Sequence, residues 1–136
     1  MAGRVILDTY TDDMRTALVR REWSAELADV LLCGEGLRPT GRHGRSEVYR
    51  LDCGKGGGIL RVYRRGGLAR RILRDAFLLR NRPLREFAVH VRLFEEGLAV
   101  PEPLGVCWRR AGLWFGGAIA TREVPGVDLC AYLSAA

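Results

Sequence analysis

The spacing of apolar and polar positions changes along the chain, and each change marks an element. The first third reads as helical. Thr11 before Asp12 and Asp13, and Ser24 before ELADVLL, each offer a side-chain oxygen to the free amides of a first helical turn. Gly34 and Gly36 end that pattern. From there the reading is strand, turn, strand: EVYRLDC, then CGKGGG, then ILRVYR, which predicts an antiparallel pair. Leu68 to Leu79 form a basic amphipathic stretch, and Pro83 sits where helices begin. Leu84, Phe87, Val91, Phe94 and Leu98 recur at helical spacing, with Gly97 placed to end the helix. VPEP follows as an extended linker, and LGVCWRR and LWFGGAIAT flank Ala111-Gly112, a short hairpin signal. The order strand, strand, helix, strand, strand predicts an α+β unit: an antiparallel sheet with one helix packed on it.

Composition bounds this picture. With 136 residues, 48% of them apolar, the chain builds one modest core, a single domain or a piece of one. A formal charge of +6 suits an anionic partner such as a nucleotide, a phosphorylated sugar, an anionic lipid or a nucleic acid, without choosing among them. Lys55 is the only lysine; the arginine excess reflects either phosphate recognition or coding bias. Cys33, Cys53, Cys107 and Cys130 lie far apart with no CxxC, and are read as reduced thiols. The longest uncharged run, Ala111 to Thr121, is too short to span a bilayer. A soluble, cytoplasmic protein, or one peripheral to a membrane, is expected.

Three segments carry candidate chemistry. GRHGRSEVY, from Gly41 to Tyr49, is a glycine-containing loop leading into a strand. Glycine lets backbone amides approach phosphate oxygens, although a plain hairpin needs glycines too. It is not a P-loop, because no GK[ST] follows. Arg61, in the middle of the returning strand, and Glu86, early in the clear helix, stand where a cation and a carboxylate can meet in front of that loop. Taken singly, each is also an ordinary surface charge. TREVPG, from Thr121 to Gly126, is a strand running out into an extended segment whose free backbone groups suit the edge of a planar base. It equally describes a strand exit before a helix capped by Asp128.

ILRVYRRGGLARRI, RPLREFAVHVRLFEEGLAVPEP and ATREVPGVDLCAYL, in that order, resemble the N-terminal lobe of bacterial lipopolysaccharide kinases, which have a protein-kinase-like fold. The resemblance runs from Gly41 to Leu133. It implies a sheet of about five strands with one main helix; the residues before it, which the resemblance does not cover, read as a helical N-terminal extension. The implied boundaries are 1–35 for the extension, 36–121 for the ATP-binding lobe, and 122–136 for the hinge and the start of a second lobe. It also implies phosphoryl transfer from ATP to a hydroxyl of a lipid-linked sugar, with Mg2+ as co-ion. Position by position, Gly41, Gly44 and Ser46 become the phosphate-covering loop and Val48 the cover of the adenine. Arg61 stands where most kinases have lysine, with Glu86 as its helix partner. The Arg122 carbonyl and the Val124 N–H become the hinge groups that face the base. An arginine fork binds phosphate and carboxylate at two points, and it is not interchangeable with lysine.

The catalytic aspartate and the metal-holding aspartate of such kinases belong to the second lobe. After Glu86 the only aspartate is Asp128, and neither His43 nor His90 is followed by aspartate. The expectation is therefore an ATP-binding lobe with no catalytic residue and no metal ligand of its own, inactive alone. Two other readings stay open: a non-catalytic, pseudokinase-like module that binds nucleotide or a partner, and a basic nucleic-acid-binding domain, for which no zinc-finger or aromatic RNP-like motif is present. The nine arginines from Arg61 to Arg85 are either a solvated helix face or a contact for an anionic membrane surface.

Overall fold

The computed structural model describes residues 3–33, 38–39, 47–52, 56–63, 81–111, 114–126 and 129–135. Its strands are β1 (Leu7–Thr11), β2 (Thr16–Arg20), β3 (Arg38–Pro39), β4 (Glu47–Asp52), β5 (Gly57–Tyr63), β6 (Pro103–Ala111) and β7 (Trp114–Arg122). The helices are α1 (Ser24–Cys33), after one 3-10 turn at Arg21–Trp23, α2 (Arg82–Glu95) and α3 (Leu129–Ala135). All strand pairs are antiparallel, in the spatial order β1-β2-β6-β7-β5-β4-β3.

Side-chain alternation along the central strands sorts the core into two layers. Ala17 and Val19 of β2, Leu60 of β5, Cys107 of β6, and Ala118 and Ala120 of β7 face one side, where they pack with Trp23 and with Leu27, Ala28 and Leu31 of α1. Val106 and Ile119 face the other side, packed with Phe87 of α2, and Leu18, Leu84, Val91 and Trp108 complete that cluster. The sheet is thus covered on both faces, by α1 on one and α2 on the other. Gly105 makes the first layer close, since a Cβ there would meet the Leu18 carbonyl oxygen and a Leu31 methyl, each at 3.0 Å. Cys107 is buried and unpaired, and burial pushes its thiol pKa up.

The α+β class is as expected, and two details differ. No helix starts at Thr11. Residues 7–20 form the β1–β2 hairpin, whose second strand pairs with β6 and so extends the sheet beyond the expected five or so strands to seven. The reason is local. Asp12 Oδ1 accepts from the amides of Met14 (2.7 Å) and Arg15 (2.6 Å), and Asp12 N–H returns a bond to the Arg15 carbonyl. An aspartate that takes the amides two and three residues on caps a helix and closes a turn with the same bonds. Here the alternating TALVR that follows selects the strand. The second difference is that α1, at the expected Ser24 start, covers the sheet's second face, so that among the described residues two helices pack on the sheet. The end of α2 is as expected, at Gly97. Gly97 takes φ of 81° and donates to Phe94 O, while Leu98 donates to Leu93 O, the paired bonds of a glycine-terminated helix.

Gly41, Gly44 and Ser46, the turn residues Cys53 to Lys55, the basic stretch Leu68 to Leu79, and Asp128 lie outside the described residues. No helix among the described residues is long and apolar enough to cross a membrane.

Candidate functional site

The start of α2 is fixed by three features. Asn81 Oδ1 accepts from Leu84 N–H at 3.1 Å, capping the helix, and Pro83 occupies its first turn. Gly117 of β7 lets that turn come down onto the sheet, because a Cβ there would meet Pro83 Cγ at 3.0 Å. Further along the helix, His90 Nε2 bonds the Pro101 carbonyl. A carbonyl only accepts, so Nε2 carries the proton in this contact.

On that base Glu86 is presented toward β5. Its Oε1 accepts from Arg82 Nε at 2.7 Å, one turn back, and its Oε2 lies 3.7 Å from Arg61 Nη2. The two carboxylate oxygens are thus divided between two guanidiniums. The Arg61 and Glu86 side chains are 52% and 37% exposed, so water screens the pair and its contribution to stability is ~0–1 kcal/mol. Its effect is to hold Arg61 over one face of the sheet.

That face is defined by register. Val48 lies directly opposite Arg61, Arg61 opposite Ile119, Ile119 opposite Val106, and Val106 opposite Leu18. Cross-strand partners share a face, so Val48 and Arg61 stand on the α2 side. Ile59, two residues before Arg61, shares it. The result is a cation flanked by branched aliphatic side chains beside the N-terminal half of a helix.

The exit of β7 borders the same region. Gly58 pairs with Arg122, three residues before Arg61, which is roughly 10 Å along a strand at ~3.4 Å per residue. Arg122 N–H donates to the Glu102 carbonyl and Glu123 N–H to the Gly57 carbonyl. The chain is therefore tied through Glu123, and Val124 beyond it is 61% exposed. The Arg122 side chain turns to the opposite face, where Nε bonds Glu102 Oε2 at 2.7 Å and the guanidinium lies 4.7 Å from the Trp23 ring centroid. Only the backbone of Arg122 belongs to the edge that Val124 continues.

The structure therefore brings Val48, Arg61 and Glu86 together and sets the backbone of Arg122 and Val124 at the border. Sequence reasoning missed Ile59, although its period-two spacing from Arg61 was the available signal. It also missed Gly117, for which the close approach of Pro83 and of the β6 backbone speaks, and Glu102, read as part of a linker. Among the described residues, no group of three or more His, Cys, Asp or Glu is placed to hold a metal ion.

Comparison with known proteins fits this geometry. The profile of the lipopolysaccharide kinase (Kdo/WaaP) family matches residues 36–135. A 3-deoxy-D-manno-octulosonic acid kinase of Xanthomonas campestris pv. campestris (strain B100) is 36% identical over 111 residues, which are 79% of this chain and 45% of that protein. The kinase of the same name from Stenotrophomonas maltophilia (strain K279a) is 37% identical over 98 residues, 69% of this chain and 39% of that protein. One from Xanthomonas oryzae pv. oryzae (strain PXO99A) is 33% identical over 111 residues. The chain spans a little under half the length of these relatives. No solved structure matches. With its sheet, its α2 helix and the matched segment in agreement, the chain belongs to the lipopolysaccharide kinase (Kdo/WaaP) family and has the α+β architecture of a protein-kinase-like N-terminal lobe.

Proposed function

We propose that this lobe binds ATP for phosphoryl transfer to a hydroxyl of a lipid-linked 3-deoxy-D-manno-octulosonic acid or a related sugar. The observation that carries the reading is the Arg61–Glu86 pair on the Val48 face. In kinase-like lobes a cation on the strand before the helix holds the α- and β-phosphates, and a helix glutamate orients it. Arg61 takes the first role and Glu86 the second. Arg82, bonded to the other oxygen of Glu86, keeps that carboxylate from reaching fully around the cation.

The hinge sits at the level of Gly58 and the cation about 10 Å further along β5 at ~3.4 Å per residue. That spacing suits a nucleotide whose base meets the Arg122 carbonyl and the Val124 N–H. Val48 and Ile59 supply apolar cover between base and phosphates. Gly41, Gly44 and Ser46 complete the reading as the loop over the phosphates. Bound ATP supplies the phosphoryl group and Mg2+ offsets its charge; no residue here is assigned to the metal. The basic stretch around Arg70 and Arg71 suits contact with an anionic membrane surface that presents a lipid-linked acceptor.

The test is titration of the chain with a fluorescent ATP analogue and Mg2+. A hydrogen bond to a charged group is worth about 1.5–3 kcal/mol, so Arg61→Met is expected to weaken binding roughly ten- to a hundredfold. Glu86→Gln is expected to weaken it less, because the cation remains. Equal affinity of the Arg61→Met variant and the parent chain removes the reading.

A further inference from the structure

The helix that carries Glu86 is held at its far end by residues that precede the family-matched segment. Val5 N–H donates to Glu95 Oε1 at 2.8 Å, in the last turn of α2. Leu7 and Leu18 pack into the cluster of Phe87, Val106 and Ile119. The guanidinium of Arg20, at the end of β2, lies 5.6 Å from the Phe94 ring centroid. Arg20 is only 9% exposed, and burying a guanidinium is costly unless its donors are paired. They are: Nη1 donates to Glu102 Oε1, and Nη2 lies 3.5 Å from Glu22 Oε1.

Glu102 is where this brace meets the edge of the candidate site. Its second oxygen accepts from Arg122 Nε, and its backbone carbonyl accepts Arg122 N–H. A single carboxylate thus ties β2, which touches the last turn of α2 through Arg20, to the last residue of β7. The N-terminal half of α2 presents Glu86 to Arg61, while its C-terminal half is gripped by the hairpin.

We propose that the N-terminal hairpin is a built-in brace for α2, and that Arg20 is a positioning residue: with Glu102 it fixes the helix relative to the β7 exit and so sets the approach of Glu86 to Arg61. The consequence for nucleotide binding rests on the proposed function above; the mechanical claim does not. The brace lies in residues 5–22 and at Glu102, so most of it falls outside the segment 36–135 that defines the family.

The test uses the full chain with Arg20→Met, which keeps a long unbranched side chain and removes the charge, and reads amide hydrogen exchange by segment. Exchange in α2 is expected to rise about tenfold while β6 and β7 keep their protection, because a local opening is released without global unfolding. An analogue titration is expected to weaken by about as much as it does in Glu86→Gln, and the double variant to be no weaker than Glu86→Gln alone. Unchanged α2 exchange, or a rise spread equally over α2, β6 and β7, overturns the brace. Should Arg20→Met not fold, Phe94→Leu removes the ring contact and leaves Arg20 paired with Glu102, and the same α2-specific rise is expected. If the parent chain binds no nucleotide, the proposed function fails and the exchange experiment still decides the brace.

Discussion

A methyl group at Gly117 would collide with the Cys107 carbonyl oxygen and lie 3.1 Å from Trp108 Cα, as well as 3.0 Å from Pro83 Cγ. Two of these three neighbours are backbone of the paired strand and cannot rotate away. Overpacking of this kind costs about 1–3 kcal/mol. Gly117→Ala is thus expected to lower the thermal midpoint by several degrees. Because Pro83 is the third neighbour, the variant also lifts the first turn of α2 and moves Glu86 with it. Thermal melting followed by circular dichroism checks the first effect; an unchanged midpoint would mean that the strand pair yields without cost. The same residue shows a limit of reading sequence. Arg61 and Glu86 were legible because their charge has a chemical use at their places in the element order. Gly117 and Ile59 matter through what lies across the sheet, and nothing within their own strands says so.

Among the elements, α2 was the most legible and the β1–β2 hairpin the least. In α2 the Pro83 start, the apolar spacing and the terminal glycine all agree, and local signals that agree leave few alternatives. The hairpin is different because Asp12 makes bonds common to turns and helix starts, and the short strands on either side carry few residues to settle the period. Its chemistry yields a pH prediction. The amides of Met14 and then Arg15 hold the Asp12 carboxyl below its ordinary 3.8. A depressed carboxylate contributes stability that is present above 3.8 and is lost as pH falls through the lower, folded value. Protection of the β1–β2 amides should accordingly fall as pH drops below 3.8. Asp12→Asn, which keeps an acceptor oxygen, should retain the turn and lose this pH dependence, whereas Asp12→Ala should lose protection at neutral pH as well. Amide exchange measured for residues 7–20 across the acid range tests this, and an Asp12→Asn profile identical to the parent's contradicts it.

For the whole molecule, the decisive fact is that both sheet faces are covered and that one cover comes from outside the family-matched segment. In the sequence residues 1–35 stand apart as an extension, since the family resemblance begins at Gly41 and the caps before it read as helical. Packing ties their described part to the sheet. Trp23, Leu27 and Leu31 are buried against Leu51, Leu60, Leu104 and Ala120, and burial of large apolar side chains is worth about 1.5–3 kcal/mol each, or roughly 5–9 kcal/mol for these three. Typical domains have a total stability of about 5–15 kcal/mol, so a lobe without this layer has little or no margin left. It would also expose a contiguous apolar face and the edge of β6, both of which favour association. A chain shortened to residues 36–136 is therefore expected to melt without a cooperative transition or to elute as aggregate, while the full chain melts cooperatively. Size-exclusion chromatography with thermal melting distinguishes the cases. A monomeric, cooperatively melting 36–136 chain would show that α1 and the hairpin are dispensable, and would return residues 1–35 to the status of an appendage.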